Sequence, residues 1–307
     1  MSATSPTSPG AHPAPGAPAP SPTRTAVMGI LNVTEDSFSD GGEWTTTGRA
    51  LDHARAMVAA GADIIDVGGE STRPGATRVP ADLEVRRVVP VIRALHEEGI
   101  TTSVDTMRAS TAAAAVEAGA DIVNDVSGGL ADERMYRTVA DSPADYCLMH
   151  WRAERFESAA GRADHGGDVV ADVRGVLSTL AARAERAGVD AGRIILDPGL
   201  GFAKDADDNW ALLSGMRSYM SLGYRVLIGA SRKRFLTALR PGPDGAPGTP
   251  ASADDATAAV SALAAASGAW AVRVHDVAAN RAAVDVAHAV ATGRGPALPE
   301  GWRARRG

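Results

Sequence analysis

Cysteine is nearly absent from this 307-residue chain. The single residue, Cys147, lies inside the apolar run Tyr146–Met149. No intrachain disulfide and no cysteine metal cluster can form, which fits a reducing, cytoplasmic setting. The thiol reads as a buried small hydrophobe. Aromatic residues make up only 4%, which argues against an aromatic-cored sandwich. Basic runs are also missing: the longest are Arg232–Arg234 and 303–306, in a chain of formal net charge −6, so nucleic acid is not an expected partner. No stretch reaches the ~20 apolar residues of a membrane span, and the N-terminus lacks the apolar segment of a secretory signal. Neither a His-x-x-x-His motif nor a Cys pair appears, which excludes a dedicated zinc site of the usual kinds.

What the chain has in quantity is Ala, Val and Gly, with 45% hydrophobic residues, enough for one large domain. Residues 1–24 are Pro/Ala/Ser/Thr-rich and read as a disordered tail outside the fold, with His12 inert. A catalytic domain is expected over 25–295, followed by a short C-terminal tail, 296–307. Eight apolar runs follow one another: Ala26–Leu31, Asp63–Val67, Thr101–Val104, Asp121–Val123, Asp145–Met149, Arg193–Leu196, Arg225–Ile228 and Trp270–Val274. Helical patterns lie between and after them, around 47–60, 82–98, 109–118, 132–141, 168–187, 205–221, 254–267 and 277–291. Gly61, Gly99, Gly119, Gly188, Gly223 and Gly268 each stand after a helix and before a strand. Strands that are apolar throughout imply a sheet covered on both faces. Eight β–α units over ~280 residues match a (β/α)8 TIM barrel. A doubly wound open sheet is the runner-up, but Gly29–Asn32 is not a dinucleotide-binding turn.

In a barrel the C-terminal strand ends form the functional face. Here all eight ends are polar: Asn32; Asp66 with Glu70–Arg73; Asp105 and Thr106; Asn124 and Asp125; His150; Asp197; Ser231–Lys233; and Arg273 with His275 and Asp276. Asp105, Asn124 and Asp197 suit a planar heterocycle with an amino–imino edge, which offers donors in parallel. Lys233, Arg273, His275 and Arg73 suit an anionic group such as a diphosphate, on the side where barrels often bind phosphate. Arg273 and His275 alternate with Val272 and Val274, which puts both polar side chains on one face. The oxygen-only donors permit a Mg²⁺ held mainly by substrate phosphate and water. Three connections are long: Gly68–Pro80 on the functional face, and Trp151–Gly167 and Pro241–Pro250, which read as surface insertions.

These motifs, in order, resemble dihydropteroate synthase. They are Met28–Gly42 (MGILNVTEDSFSDGG), Asp66–Gly75 (DVGGESTRPG), Ser103–Thr106 (SVDT), Asn124–Gly128 (NDVSG), Met149-His150, Asp197–Lys204 (DPGLGFAK), Ser231–Lys233 (SRK) and Val272–Val277 (VRVHDV). The resemblance implies a homodimeric (β/α)8 enzyme of folate biosynthesis, a class targeted by sulfonamides. It would join 4-aminobenzoate to 6-hydroxymethyl-7,8-dihydropterin diphosphate, with Mg²⁺ present. It further implies that Asp105, Asn124, Asp197 and Lys233 bind the pterin, and that Arg273 and His275 clamp the diphosphate with Thr72 nearby. Asn32 would be the magnesium contact. Asp36, Phe38, Thr72, Arg73, Pro74, Phe202 and Ser231 would enclose 4-aminobenzoate. Glu35, Trp151, Leu200 and Ala203 depart from common family residues, and none of them removes a proposed ligand. A pterin-dependent methyltransferase barrel would share the carboxylate pocket but would not need the cations. A non-catalytic pterin-binding paralogue is opposed only by the intact ligand set.

Overall fold

A computed structural model describes residues 24–34, 43–70, 78–151 and 163–297. Eight parallel strands close into a barrel in chain order: β1 (Ala26–Asn32), β2 (Ile64–Gly68), β3 (Thr102–Asp105), β4 (Ile122–Asp125), β5 (Asp145–Met149), β6 (Ile194–Asp197), β7 (Arg225–Ile228) and β8 (Ala271–Val274). Closure is made by β8 pairing with β1, Ala26 opposite Ala271 and Met28 opposite Arg273. The helices are α1 (Glu43–Ala59), α2 (Ala81–Glu97), α3 (Ala109–Glu117), α4 (Met135–Ala140), α5 (Val169–Arg186), α6 (Ala206–Ser214), α7 (Met216–Met220), α8 (Arg234–Thr237), α9 (Asp254–Ala266) and α10 (Val277–Thr292).

Period-two alternation decides what the strands bury. Val67, Val104, Leu148, Leu196, Val226 and Val272 face outward and join the helix side chains in the main core. Met28, Ile64, Ile122, Cys147, Ile195, Leu227 and Ala271 face inward and form a separate apolar floor. Cys147 is thus the buried small hydrophobe expected of it. One pleat further along, four of these strands carry polar inward residues, Asp66, Asn124, Asp197 and Arg273, and the site begins there.

All six helix-ending glycines adopt positive φ, from 72° to 106°, the left-handed region in which a Cβ is strained. One helical expectation is corrected and one short helix is added. The 205–221 pattern is two helices that meet at Gly215, where an added Cβ would lie 2.8 Å from Val170 of α5. Close packing therefore requires a glycine there, and glycine is a poor helix former. α8 has only four residues, too few to show a period. Arg24, assigned to the tail by composition, instead donates to Asp63 (2.9 Å) and Asp285 (3.2 Å) beneath the barrel.

Candidate active site

At the C-terminal mouth Arg273 reaches from β8 across to β2 and β3. Its Nε donates to Asp66 Oδ2 at 2.6 Å and its Nη2 to Asp105 Oδ2 at 2.7 Å. Asn124 Nδ2 donates to the same Asp66 oxygen at 3.1 Å. The other carboxylate oxygen of each pair, Asp66 Oδ1 and Asp105 Oδ1, is buried and has no donor among the described residues. Such acceptors are costly unless a ligand supplies hydrogens. Burial pushes the Asp105 carboxyl well up, Arg273 pulls it back, and Asp66 adds a second upward push. Burial alone would weaken the Arg273 charge, but Asp66 and Asp105 hold its pKa above the usual value.

Asp197, on β6, completes the ring of carboxylates. Its Oδ1 accepts from Gly199 N at 2.7 Å, which fixes the turn that follows the strand. Burial raises its pKa, while the Gly199 N–H and then Lys233 moderate the rise. Lys233 is partly buried, with Nζ 4.1 Å from the centroid of the Phe202 ring. Burial lowers its pKa to about 8 against the pull of Asp197. Gly201 (φ +77°) makes room for this lysine, since an added Cβ would meet Lys233 Cδ at 2.6 Å.

His275 stands just past β8. Its Nδ1 lies 2.9 Å from Ser231 Oγ, and its backbone N–H donates to the same oxygen at 3.1 Å. The serine hydroxyl therefore orients the imidazole. Arg232, by contrast, turns outward at φ +58° and forks onto Asp254. It is structural and adds no charge to the mouth. Asn32 is exposed at the end of β1, in register with Gly68. A Cβ on Gly68 would lie 3.7 Å from both Asn32 Oδ1 and Asp105 Cβ, so the asparagine borders the carboxylates.

Three of the polar strand ends support the fold around the site. Asp125 is buried and accepts from Ser127 N, Ser127 Oγ, Gly129 N and Tyr146 Oη. Glu70 accepts from Arg78, Val79 N and Arg108, while Glu84 of α2 accepts from Thr106, Thr111 and Arg108. His150 Nδ1 accepts from Lys204 Nζ at 3.0 Å, and Lys204 also donates to the carbonyls of Gly199 and Phe202. Burial lowers the Lys204 pKa to about 7 and holds the His150 ring well below its usual value.

Of the expected site residues, Asp105, Asn124, Asp197, Lys233 and Arg273 converge on the mouth, with Phe202 beneath Lys233 and the Ser231–His275 pair beside them. Asp36, Phe38, Thr72, Arg73 and Pro74 lie outside the described residues. Two features escaped the sequence reading. In sequence Asp66 reads only as a strand end, yet it accepts from both Arg273 and Asn124; its signal is the inward parity of β2. The 151–167 connection, read as a surface insertion, carries a buried His165 bonded to Asp172 (2.7 Å) and to the Ala203 carbonyl (3.1 Å).

Comparison with known proteins agrees with this geometry. Residues 28–275 match the model of the family described as pterin binding enzyme. A dihydropteroate synthase of Mycobacterium leprae is 52% identical over 259 residues, covering 84% of this chain and 90% of that protein. A Burkholderia cenocepacia dihydropteroate synthase, solved with 7,8-dihydropteroate, superposes with a TM-score of 0.78 at 39% identity over 88% of this chain and 92% of that one. A Xanthomonas albilineans dihydropteroate synthase, solved with 4-aminobenzoic acid, superposes with a TM-score of 0.78 at 43% identity over 90% and 94%.

Proposed function

The chain belongs to the dihydropteroate synthase family, and from that premise we propose that it condenses 6-hydroxymethyl-7,8-dihydropterin diphosphate with 4-aminobenzoate to give 7,8-dihydropteroate and diphosphate. The observation that carries the reading is the buried Asp66–Arg273–Asp105 bridge with its two donor-less carboxylate oxygens. A pterin edge supplies parallel N–H donors to such oxygens. In this reading Asp105, Asn124 and Asp197 hold the ring, Lys233 and Phe202 shape the neighbouring pocket, and Arg273 and His275 meet the diphosphate. Asp66 positions Arg273 and Asn124.

The chemistry follows from the charges. The bond between the pterin methylene and the diphosphate oxygen breaks, and its electron pair leaves with the diphosphate. The methylene cation delocalises into the ring. Three carboxylates, Asp66, Asp105 and Asp197, face two cations, Arg273 and Lys233, so the pocket favours the cationic transition state. The aryl amine lone pair then forms the C–N bond and the nitrogen releases a proton. No covalent enzyme intermediate is needed. Asn32 offers one exposed carbonyl oxygen at the rim, which fits a Mg²⁺ ligated otherwise by substrate oxygens and water. When bound, such an ion would neutralise charge on the leaving diphosphate.

We further take the working form to be a cytoplasmic homodimer. Leu263 on α9 and Val286 and Val290 on α10 are exposed and apolar, and light scattering at dimer mass would support their burial between copies. Among the described residues no helix is long and apolar enough to cross a membrane. The direct test is incubation with the pterin diphosphate, 4-aminobenzoate and Mg²⁺. Formation of dihydropteroate and diphosphate is expected, and a folded protein that forms neither would overturn the reading.

A further inference from the structure

Of the 31 basic residues in the chain only two are lysines, Lys204 and Lys233. Lys233 stands in the mouth, whereas the condensation as described gives Lys204 no part. Lys204 is buried, 6% exposed, on the turn that leads from β6 to α6. Its Nζ reaches three acceptors: His150 Nδ1 at 3.0 Å, Gly199 O at 3.0 Å and Phe202 O at 3.1 Å. Only an ammonium has three hydrogens to fill them. His150 then carries its ring proton on Nε2, which faces Asp172 Oδ2 of α5 at 3.5 Å. Arginine, used for every other cation outside the mouth, would not serve here, because its planar fork cannot aim three hydrogens from one nitrogen.

The two carbonyls belong to the turn that carries the site. Gly199 donates its N–H to Asp197 Oδ1 at 2.7 Å, and its carbonyl also accepts from Phe202 N at 3.1 Å. Gly199, at φ +68°, packs so closely on the end of β5 that an added Cβ would lie 2.6 Å from the His150 carbonyl. Lys204 thus ties the turn to β5 where the two already touch. At the far end of the turn the Phe202 ring lies beneath Lys233, its centroid 4.1 Å from Nζ. We propose that Lys204 is a positioning residue: by holding the Gly199 and Phe202 carbonyls against β5, it sets the place of the Phe202 ring and, through that ring, of the Lys233 ammonium. The inference rests on the reading of Phe202 and Lys233 as a wall of the 4-aminobenzoate pocket. Asp105 and Asn124 stand on β3 and β4, outside the turn, so the pterin should depend on Lys204 less than 4-aminobenzoate does.

The test uses the full chain with its lysines labelled at 15Nζ and 13Cε, which gives two side-chain signals, told apart by Lys204→Met. Below about pH 7, where Lys204 carries its proton despite burial, its 15N-bound hydrogens should exchange slowly enough to be seen. The Lys233 Cε hydrogens should be shifted upfield by the Phe202 ring, and Phe202→Leu should remove that shift. In Lys204→Met the Lys233 signal should move toward that of a free lysine. In the same variant kcat/KM for 4-aminobenzoate should fall about tenfold to a hundredfold, while affinity for the pterin diphosphate changes much less. Phe202→Leu should show the same kinetic loss with Lys204 intact, and the double variant should lose no more than either single one. A lysine that only supports the fold would lower Tm and leave the Lys233 signal and the kinetic difference between the two substrates unmoved. That result in folded Lys204→Met overturns the proposal, and so do additive losses in the double variant. Should Lys204→Met not fold, Lys204→Arg is put through the same measurements. A wild type without slowly exchanging Lys204 hydrogens overturns the proposal with no variant needed. The spectra require no substrate, so they decide the role of Lys204 even if no dihydropteroate forms, a result that would strike the reading of the site instead.

Discussion

Arg273→Ala separates the two tasks assigned to this residue. In the wild type its guanidinium neutralises Asp66 and Asp105, whose side chains are 0% and 4% exposed. Removing the cation leaves two buried carboxylates uncompensated, a change that typically costs about 3–5 kcal/mol. For a domain of this size that corresponds to a fall in Tm of about 6–10 °C. The deficit should depend on pH, with a definite sign. Burial raises the Asp105 pKa even with Arg273 present, and losing the arginine raises it further. A carboxyl whose folded pKa lies above its unfolded value gains a proton on folding, so stability is lost as pH rises through that range. The variant should therefore lie closer to wild type near about pH 5 than near about pH 8. The ligand measurement is separate. Loss of a charge-assisted hydrogen bond to the diphosphate costs about 1.5–3 kcal/mol, roughly 10–150-fold in affinity. Calorimetric titration should show that loss for the pterin diphosphate and a smaller one for the pterin alcohol. Arg273→Lys should recover part of the stability, because it keeps the charge without the fork. An unchanged, pH-independent Tm would refute the buried-bridge reasoning. Equal losses for the two ligands would show that Arg273 does not meet the diphosphate.

Lys233 should lose its proton as pH passes about 8, so KM for the pterin diphosphate should rise above that pH; a profile that is flat to pH 10 would deny the lysine a charged role. The same depressed pKa means that between about 8 and the ordinary value of 10.5 the unfolded chain holds a proton the folded one has lost, so this group's contribution to stability increases with pH there. Gly201→Ala places a Cβ 2.6 Å from Lys233 Cδ at φ +77°, so KM should rise and Tm should fall by the equivalent of about 2–4 kcal/mol, read by steady-state kinetics and thermal melts. Glu84→Ala strips Thr106, Thr111 and Arg108 of a shared buried acceptor and should cost about 3–5 kcal/mol in urea unfolding, although no ligand contact is removed.

The sequence by itself determined the barrel. Eight apolar runs could be counted because strands buried on both faces are apolar over most of their length, and the glycines after the helices marked turns that require positive φ. It also placed the polar groups at strand ends, since the step from Leu196 to Asp197 or from Val104 to Asp105 is visible without coordinates. It could not say which polar ends face a ligand and which are consumed by the fold. Asp125 and Asp197 look alike in sequence, yet Asp125 spends its oxygens on its own turn while Asp66 and Asp105 each keep one oxygen without a donor. Arg232 and Lys233 are neighbours, but a positive φ sends the first to Asp254 while the second stands over Phe202. His150, His165 and Asp172 match no short motif, and only the packing of β5, its connection and α5 brings them within 4.8 Å. Pattern along a chain reports burial and turn geometry, which are local. Which donor meets which acceptor depends on where barrel closure and helix packing bring distant segments together, and only the tertiary structure decides that.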